Sequence, residues 1–125
     1  MTLRFPVRPM KATMGSTGAV PGGDDWAFEV KWDGYRTIVF VDDGRIRLQS
    51  TSGHDVTTRW PELSDLADSV HARSAILDGE LVAFDDDGRP RFELVQNSGA
   101  GAPHQAVLQL FDVLQVDGTE TIELP

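Results

Sequence analysis

Two runs with the alternation of β-strands meet across a single Asp-Gly pair, and that junction constrains the chain more than any other stretch. Trp26-Ala-Phe-Glu-Val-Lys31 leads in and Tyr35-Arg-Thr-Ile-Val-Phe-Val41 leads out, with Asp33-Gly34 between them. Asp-Gly flanked by alternating apolar residues is a strong hairpin signal, because both residues tolerate the positive φ of a tight turn. The spacing predicts strands at about 26–31 and 35–41. The turn would hold the Lys31 amine and the Arg36 guanidinium close together, a way to set a nucleophile beside a bound phosphate. A hairpin flanked by one Lys and one Arg is common, and on geometry alone it is more often structural than functional.

Breakers organise the rest. Gly15, Gly18, Pro21, Gly22 and Gly23 interrupt any regular element, so residues 1–25 read as an irregular arm and 26–125 as the domain. A third strand is expected at 45–51, joined to the second by the turn Asp42-Asp-Gly-Arg45. Thr57 to Pro61 looks like a helix start, and Leu63, Leu66, Ala67 and Val70 repeat as one apolar stripe of a helix. Ala75–Leu77 and Leu81–Phe84 read as strands flanking Asp78-Gly79-Glu80, and Phe92–Asn97 as a short helix. Ser98–Pro103 reads as a loop and Ala106–Leu114 as an apolar, central strand. Asp85-Asp-Asp-Gly88 lacks the spacing of a calcium loop and reads as a solvated turn. Short strands, Asp-Gly turns and two helices give an α+β class with an antiparallel sheet.

Composition excludes several classes. With 125 residues there is room for one domain. No apolar run is long enough to span a bilayer, and the N-terminus lacks the apolar core of a signal peptide, so a cytoplasmic location is the default. Without cysteine there is no disulfide and no thiolate metal site, and His54, His71 and His104 are scattered. Charge is uneven: residues 1–60 carry 8 Lys/Arg against 7 Asp/Glu, whereas residues 61–125 carry 3 against 13. Affinity for DNA rests on cations that neutralise phosphates, so a chain of net charge −9 should not hold duplex DNA well alone.

Lys31-x-Asp-Gly-x-Arg36 specifies four residues in six positions, which chance supplies at about one site in 10^5. It resembles the nucleotidyl-transfer motif shared by ATP-dependent DNA ligases and messenger-RNA capping enzymes. The surroundings are similar to bacterial end-joining ligases. Pro9-Met-Lys-Ala-Thr13 looks like their Pro-Met-x-Ala-Thr segment, Asp78-Gly-Glu80 like their second motif, and Phe111-Asp112 like their Phe-Asp motif. The resemblance spans nearly the whole chain and implies an antiparallel-sheet nucleotidyltransferase (ATP-grasp-like) fold, here incomplete.

The same resemblance implies roles. Lys31 would attack the α-phosphate of ATP and carry AMP, and its free pKa of about 10.4 would have to fall through burial or cationic neighbours. Glu29 would accept a hydrogen bond from the adenine amine. Arg36 would hold ribose or phosphate, and Phe111 would stack on adenine. Glu80 would bind the ribose or sit by Mg2+ or Mn2+. AMP would pass to a DNA 5′-phosphate in strand joining during repair. Each residue also has a plain reading: Glu29 an exposed strand carboxylate, Glu80 the flank of a turn, Phe111 core by default. The three tryptophans read as packing residues.

The chain departs from the family pattern in two places. Gln49 and Thr51 stand where end-joining ligases carry the arginines of Arg-Ser-Arg-x-Gly, and neither offers a charged fork. The Glu-Gly-x-x-x-Lys and Lys-x-Lys motifs that would follow, and an oligonucleotide-binding domain, do not occur in these residues. Weak or absent self-adenylylation is therefore expected. Two alternatives stay open: a catalytically dead ligase remnant that binds nucleotide or a partner, and a capping-type guanylyltransferase relative. A sheet left half open would favour a homodimer or a complementing chain.

Overall fold

The computed structural model describes residues 2–15 and 18–125; Met1, Ser16 and Thr17 of the expected arm lie outside the described residues. Five antiparallel strands form one sheet in the order β2-β1-β3-β4-β5. They are β1 (Tyr35–Asp42), β2 (Arg45–Ser50), β3 (Ser74–Val82), β4 (Val107–Val116) and β5 (Thr119–Glu120). Between β2 and β3 run two 3-10 turns, Thr57–Arg59 and Pro61–Asp65, and the helix α1 (Leu66–Ser69); α2 (Phe92–Gln96) precedes β4. The class is α+β, as the pattern of elements predicts.

The β1–β2 hairpin forms where expected, with Asp43 at φ 44° and Gly44 at φ 78°. Two successive positive φ values are the signature of a turn whose twist matches its strands. Pro61 opens its 3-10 turn, where the missing N–H costs nothing. The stripe Leu63, Leu66, Ala67 and Val70 does pack on the core, but as a 3-10 turn and a four-residue helix rather than one long helix.

Three expectations are overturned. Residues 26–31 are not a strand: they form no regular element and pair with no strand, and Trp26, Phe28 and Val30 are all exposed. Both edges of β1 are already taken by β2 and β3, so no hairpin can close through Asp33-Gly34. Asp78-Gly79-Glu80 does not separate two strands, because β3 runs through it without a break. The central strand is β3, not the apolar stretch of β4, whose Val107, Leu110, Phe111 and Val113 are each at least 40% exposed.

The two sheet faces differ. One packs Val39, Val41, Leu48, Leu77 and Leu81 against Trp60, Ala67, Val95 and Ala106. Trp60 is buried there and donates from Nε1 to Ser98 Oγ at 2.8 Å. The other face carries a smaller cluster of Ile38, Ile76 and Val7, with Leu3, Phe40 and Leu114 beside it. The first residues of the arm therefore lie across this second face, although they form no regular element. No described helix is long and apolar enough to cross a membrane.

Candidate active site

Side chains alternate between faces along a strand, so Arg36 of β1 and Asp78 and Glu80 of β3 share the second face with Ile38 and Ile76. Arg36 lies directly across from Glu80 in the register and diagonally from Asp78. Its guanidinium grips Asp78 with both arms: Nε donates to Oδ1 and Nη2 to Oδ2, each at 2.6 Å. Such a fork is rigid as well as charged. Nη2 also donates to the Met10 carbonyl at 3.1 Å, tying the arm to this group. The Arg36 charge sits 5.1 Å from the centre of the Phe111 ring, and Asp112 pairs across from Asp78.

Two titrations are displaced here. The hydrogen-bonded Asp78 raises Arg36, burial opposes it, and Glu80 and Asp112 add to the rise. Burial raises Glu80 above the ordinary carboxylate range, against the pull of Arg36 and Lys31; Asp33 and Asp78 push it further up. Glu80 is thus the point on which Lys31, Asp33, Arg36 and Asp78 all act.

Both motif glycines are fixed by close approach of backbone, not by a turn. A Cβ on Gly34 would fall 1.8 Å from the Leu81 carbonyl oxygen, and one on Gly79 would fall 2.7 Å from that of Gln109. Gly34 therefore lets the loop that carries Lys31 rest on the end of β3. Trp32, edge-on to Phe84 with ring centres 6.2 Å apart, holds the same loop from the side.

The structure thus gathers Arg36, Glu80 and Phe111 and sets Lys31 beside them. Lys31 is exposed, and its charge acts on Glu80. Glu29 is exposed too, in the unpaired segment, and shares no strand face with Lys31. Sequence reasoning passed over Asp78; the signal was a carboxylate in the middle of a strand that is otherwise buried. Gln49 turns out to be fully buried. It accepts from Val7 N–H at 2.8 Å and donates to Val7 C=O at 2.6 Å, clamping the arm rather than facing solvent. Among the described residues no three acids or histidines form a metal-binding group. Phe111 also lines an open cleft of about 580 Å³ with Leu77, Leu110, Val113 and Leu124.

The family described as ATP dependent DNA ligase domain matches residues 9–125. The chain belongs to that family. It is 43% identical over 110 residues to the multifunctional non-homologous end joining protein LigD of Mycobacterium bovis, covering 88% of this chain and 14% of that protein. A probable DNA ligase of Streptomyces griseus is 38% identical over 136 residues, covering 100% of this chain and 27% of its own length. The ligase domain of Mycobacterium tuberculosis LigD superposes with a TM-score of 0.66 at 40% identity, over 74% of this chain and 30% of that one. A mycobacterial DNA ligase D complexed with ATP and MES gives 0.63 at 42% identity. The chain therefore spans between about a seventh and a third of the relatives named here, and its sheet is a partial domain.

Proposed function

We propose that this chain carries the nucleotide-attachment half of a ligase adenylation site, with Lys31 as the nucleophile. The observation that carries the reading is the Lys31-x-Asp-Gly-x-Arg36 motif set beside Arg36, Glu80 and Phe111 in a chain of this family. Lys31 is exposed, so its Nζ is open to an incoming nucleotide, and the attacking form is the neutral amine, its proton having left to water. The freed Nζ lone pair forms a bond to the α-phosphorus of ATP, the bond to pyrophosphate breaks, and lysyl-AMP results. AMP then passes to a DNA 5′-phosphate, and a 3′-hydroxyl displaces it.

Arg36, held by Asp78, places a fixed positive charge at the nucleotide rather than a mobile one, which avoids reorganisation during the reaction. Phe111 offers an apolar ring to adenine. Glu29, on the free segment, reaches the adenine amine only once that segment settles over the base. Mg2+ would be held by one or two carboxylates together with substrate phosphates, and Glu80 would supply one such ligand. When bound, the ion neutralises charge on the phosphates. The exposed apolar side chains of β4 support the reading that a complementing part or a second copy covers the sheet.

The test is incubation with ATP labelled at the α-phosphate and Mg2+ or Mn2+. The expected label on the protein is weak, is lost at low pH or with hydroxylamine, and disappears in Lys31→Ala. Folding should not change in that variant, since surface substitutions generally stay within about 0.5 kcal/mol. Label that persists without Lys31 would sink the assignment. A folded chain that takes no label would instead favour a ligase remnant without turnover, a reading supported by Gln49 serving as a buried clamp where the family pattern has an arginine. GTP preferred over ATP would point to the capping-type relative.

A further inference from the structure

Residues 1–23 contain Arg4, Arg8 and Lys11 and no acidic residue, in a chain whose net charge is −9. The structure gives this composition a shape. Leu3, Phe5, Val7 and Pro9 turn toward the sheet, whereas Thr2, Arg4, Pro6, Arg8 and Met10 are exposed. The alternation is that of a segment with one face on a surface, bent at Phe5-Pro6. The inward face is pinned at three sites by side chains that hold backbone. Gln115 Oε1 accepts from Leu3 N–H at 2.7 Å, the Gln49 amide brackets Val7, and Arg36 reaches the Met10 carbonyl. Phe5 is seated between Phe40, with ring centres 5.4 Å apart, and the Arg47 guanidinium, 3.4 Å from its ring centre. None of Arg4, Arg8 and Lys11 makes an ion pair among the described residues.

Such a strap is a rigid rail of uncompensated cations, lying on the same sheet face as Arg36 and Glu80. Arg4, Arg8 and Lys11 are all exposed along it, and cations set along one segment can neutralise neighbouring phosphates of a nucleic-acid backbone. We infer that the strap, through Arg4, Arg8 and Lys11, is a contact surface for the phosphate backbone of duplex DNA, feeding the end to be joined toward the site. The inference rests on the ligase reading only for the choice of DNA as the polyanion. The acidic half of a second copy is the rival partner, and the test separates the two.

The experiment is fluorescence anisotropy of a labelled nicked duplex with the 125-residue chain over about 20–150 mM salt, the range in which counter-ion release governs affinity. The variant is Arg4→Ala/Arg8→Ala/Lys11→Ala. Arg73→Ala, an exposed arginine before β3, is the control for lost charge. Each phosphate contact removed flattens the plot of log K against log salt by about 0.9. The triple variant should lose about 2.7 from that slope, and Arg73→Ala should leave it unchanged. Because the three side chains point outward, circular dichroism should report unchanged folding. Three results would overturn the inference: no binding by the wild-type chain at the lowest salt, an unchanged slope in the triple variant, or loss of self-association in place of DNA binding. The triple variant should take label from α-labelled ATP as the parent does, since none of its three residues belongs to the nucleotide site. Failure of adenylylation and failure of the strap can thus be told apart.

Discussion

Asp-Gly occurs five times in this chain, at 33–34, 43–44, 78–79, 87–88 and 117–118, and the pairs fall into two kinds. At Asp43-Gly44 and Asp117-Gly118 both residues have positive φ, and each pair turns a hairpin whose tip faces solvent. Gly88 likewise sits at φ 76° in a turn. At 33–34 and 78–79 neither residue has positive φ. There the glycine exists so that a neighbouring backbone can pass, and at 78 the acid exists to hold an arginine. One dipeptide thus serves conformational freedom at the hairpin tips and close approach at the candidate site. The difference is set by what packs against it, which no local pattern encodes.

Alanine separates the two kinds most sharply. In Gly34→Ala the new Cβ meets the Leu81 carbonyl at 1.8 Å, so the start of β1 must move away from β3. Overpacking of this severity should cost about 3 kcal/mol or more. Gly79→Ala, at 2.7 Å from Gln109, should follow closely. In Gly44→Ala nothing lies within 4 Å of the new methyl, and only the left-handed backbone resists, at about 1–2 kcal/mol. Urea unfolding at constant m measures all three. A Gly34→Ala chain within 1 kcal/mol of the parent would erase the distinction.

The acids should divide in the same way, with smaller effects. Asp78→Asn leaves the Arg36 charge half-buried without its counter-ion. Removing one partner of a buried pair costs about 3–5 kcal/mol, which partial exposure of Arg36 reduces to about 2–3. Asp43→Asn removes only an exposed contact to Arg73 at 3.1 Å, and asparagine tolerates positive φ, so about 0.5 kcal/mol or less is expected. Equal losses in the two variants would mean that the fork at Asp78 has no special standing.

Where the chain was legible, the signal was short in range. The turn at Asp43-Gly44, the helix at Phe92 and the class of the sheet all follow from neighbours in sequence. The family followed from residue identities in order, Lys31 to Arg36, then Asp78-Gly-Glu80, then Phe111-Asp112. What failed needed a partner far away. Trp26, Phe28 and Val30 alternate like a strand, but a strand requires an open edge and β1 has none. Gln49 reads as a lost phosphate contact until Val7, 42 residues earlier, is seen inside its amide. Asp78 reads as half of a turn until Arg36 is found across the sheet. The candidate site residues were nameable, but the arrangement that brings Arg36, Asp78 and Glu80 together was not.

The carboxylates offer the finest test of the comparison, because the two settings displace titration in opposite senses. Asp85, at the Asp87-Gly88 turn, is lowered first by the hydrogen bond from Arg89 N–H, and Asp55 is lowered first by Thr57. Such groups bind protons less readily in the fold than in the unfolded chain, so what they contribute is lost as pH falls through the acid range. Glu80 is raised, chiefly by burial. It holds its proton more readily when folded, so its contribution is complete below the ordinary glutamate value near pH 4.3. That contribution declines as pH climbs to the raised folded value, then stays lost. Glu80→Gln removes the decline. The variant should match the parent at about pH 3, where both side chains are neutral, and be slightly more stable at neutral pH. Stability curves for the pair should therefore diverge only above the ordinary glutamate range. If they diverge below it instead, Arg36 and Lys31 outweigh burial at Glu80, and the site-face acid titrates like the acids of the turns.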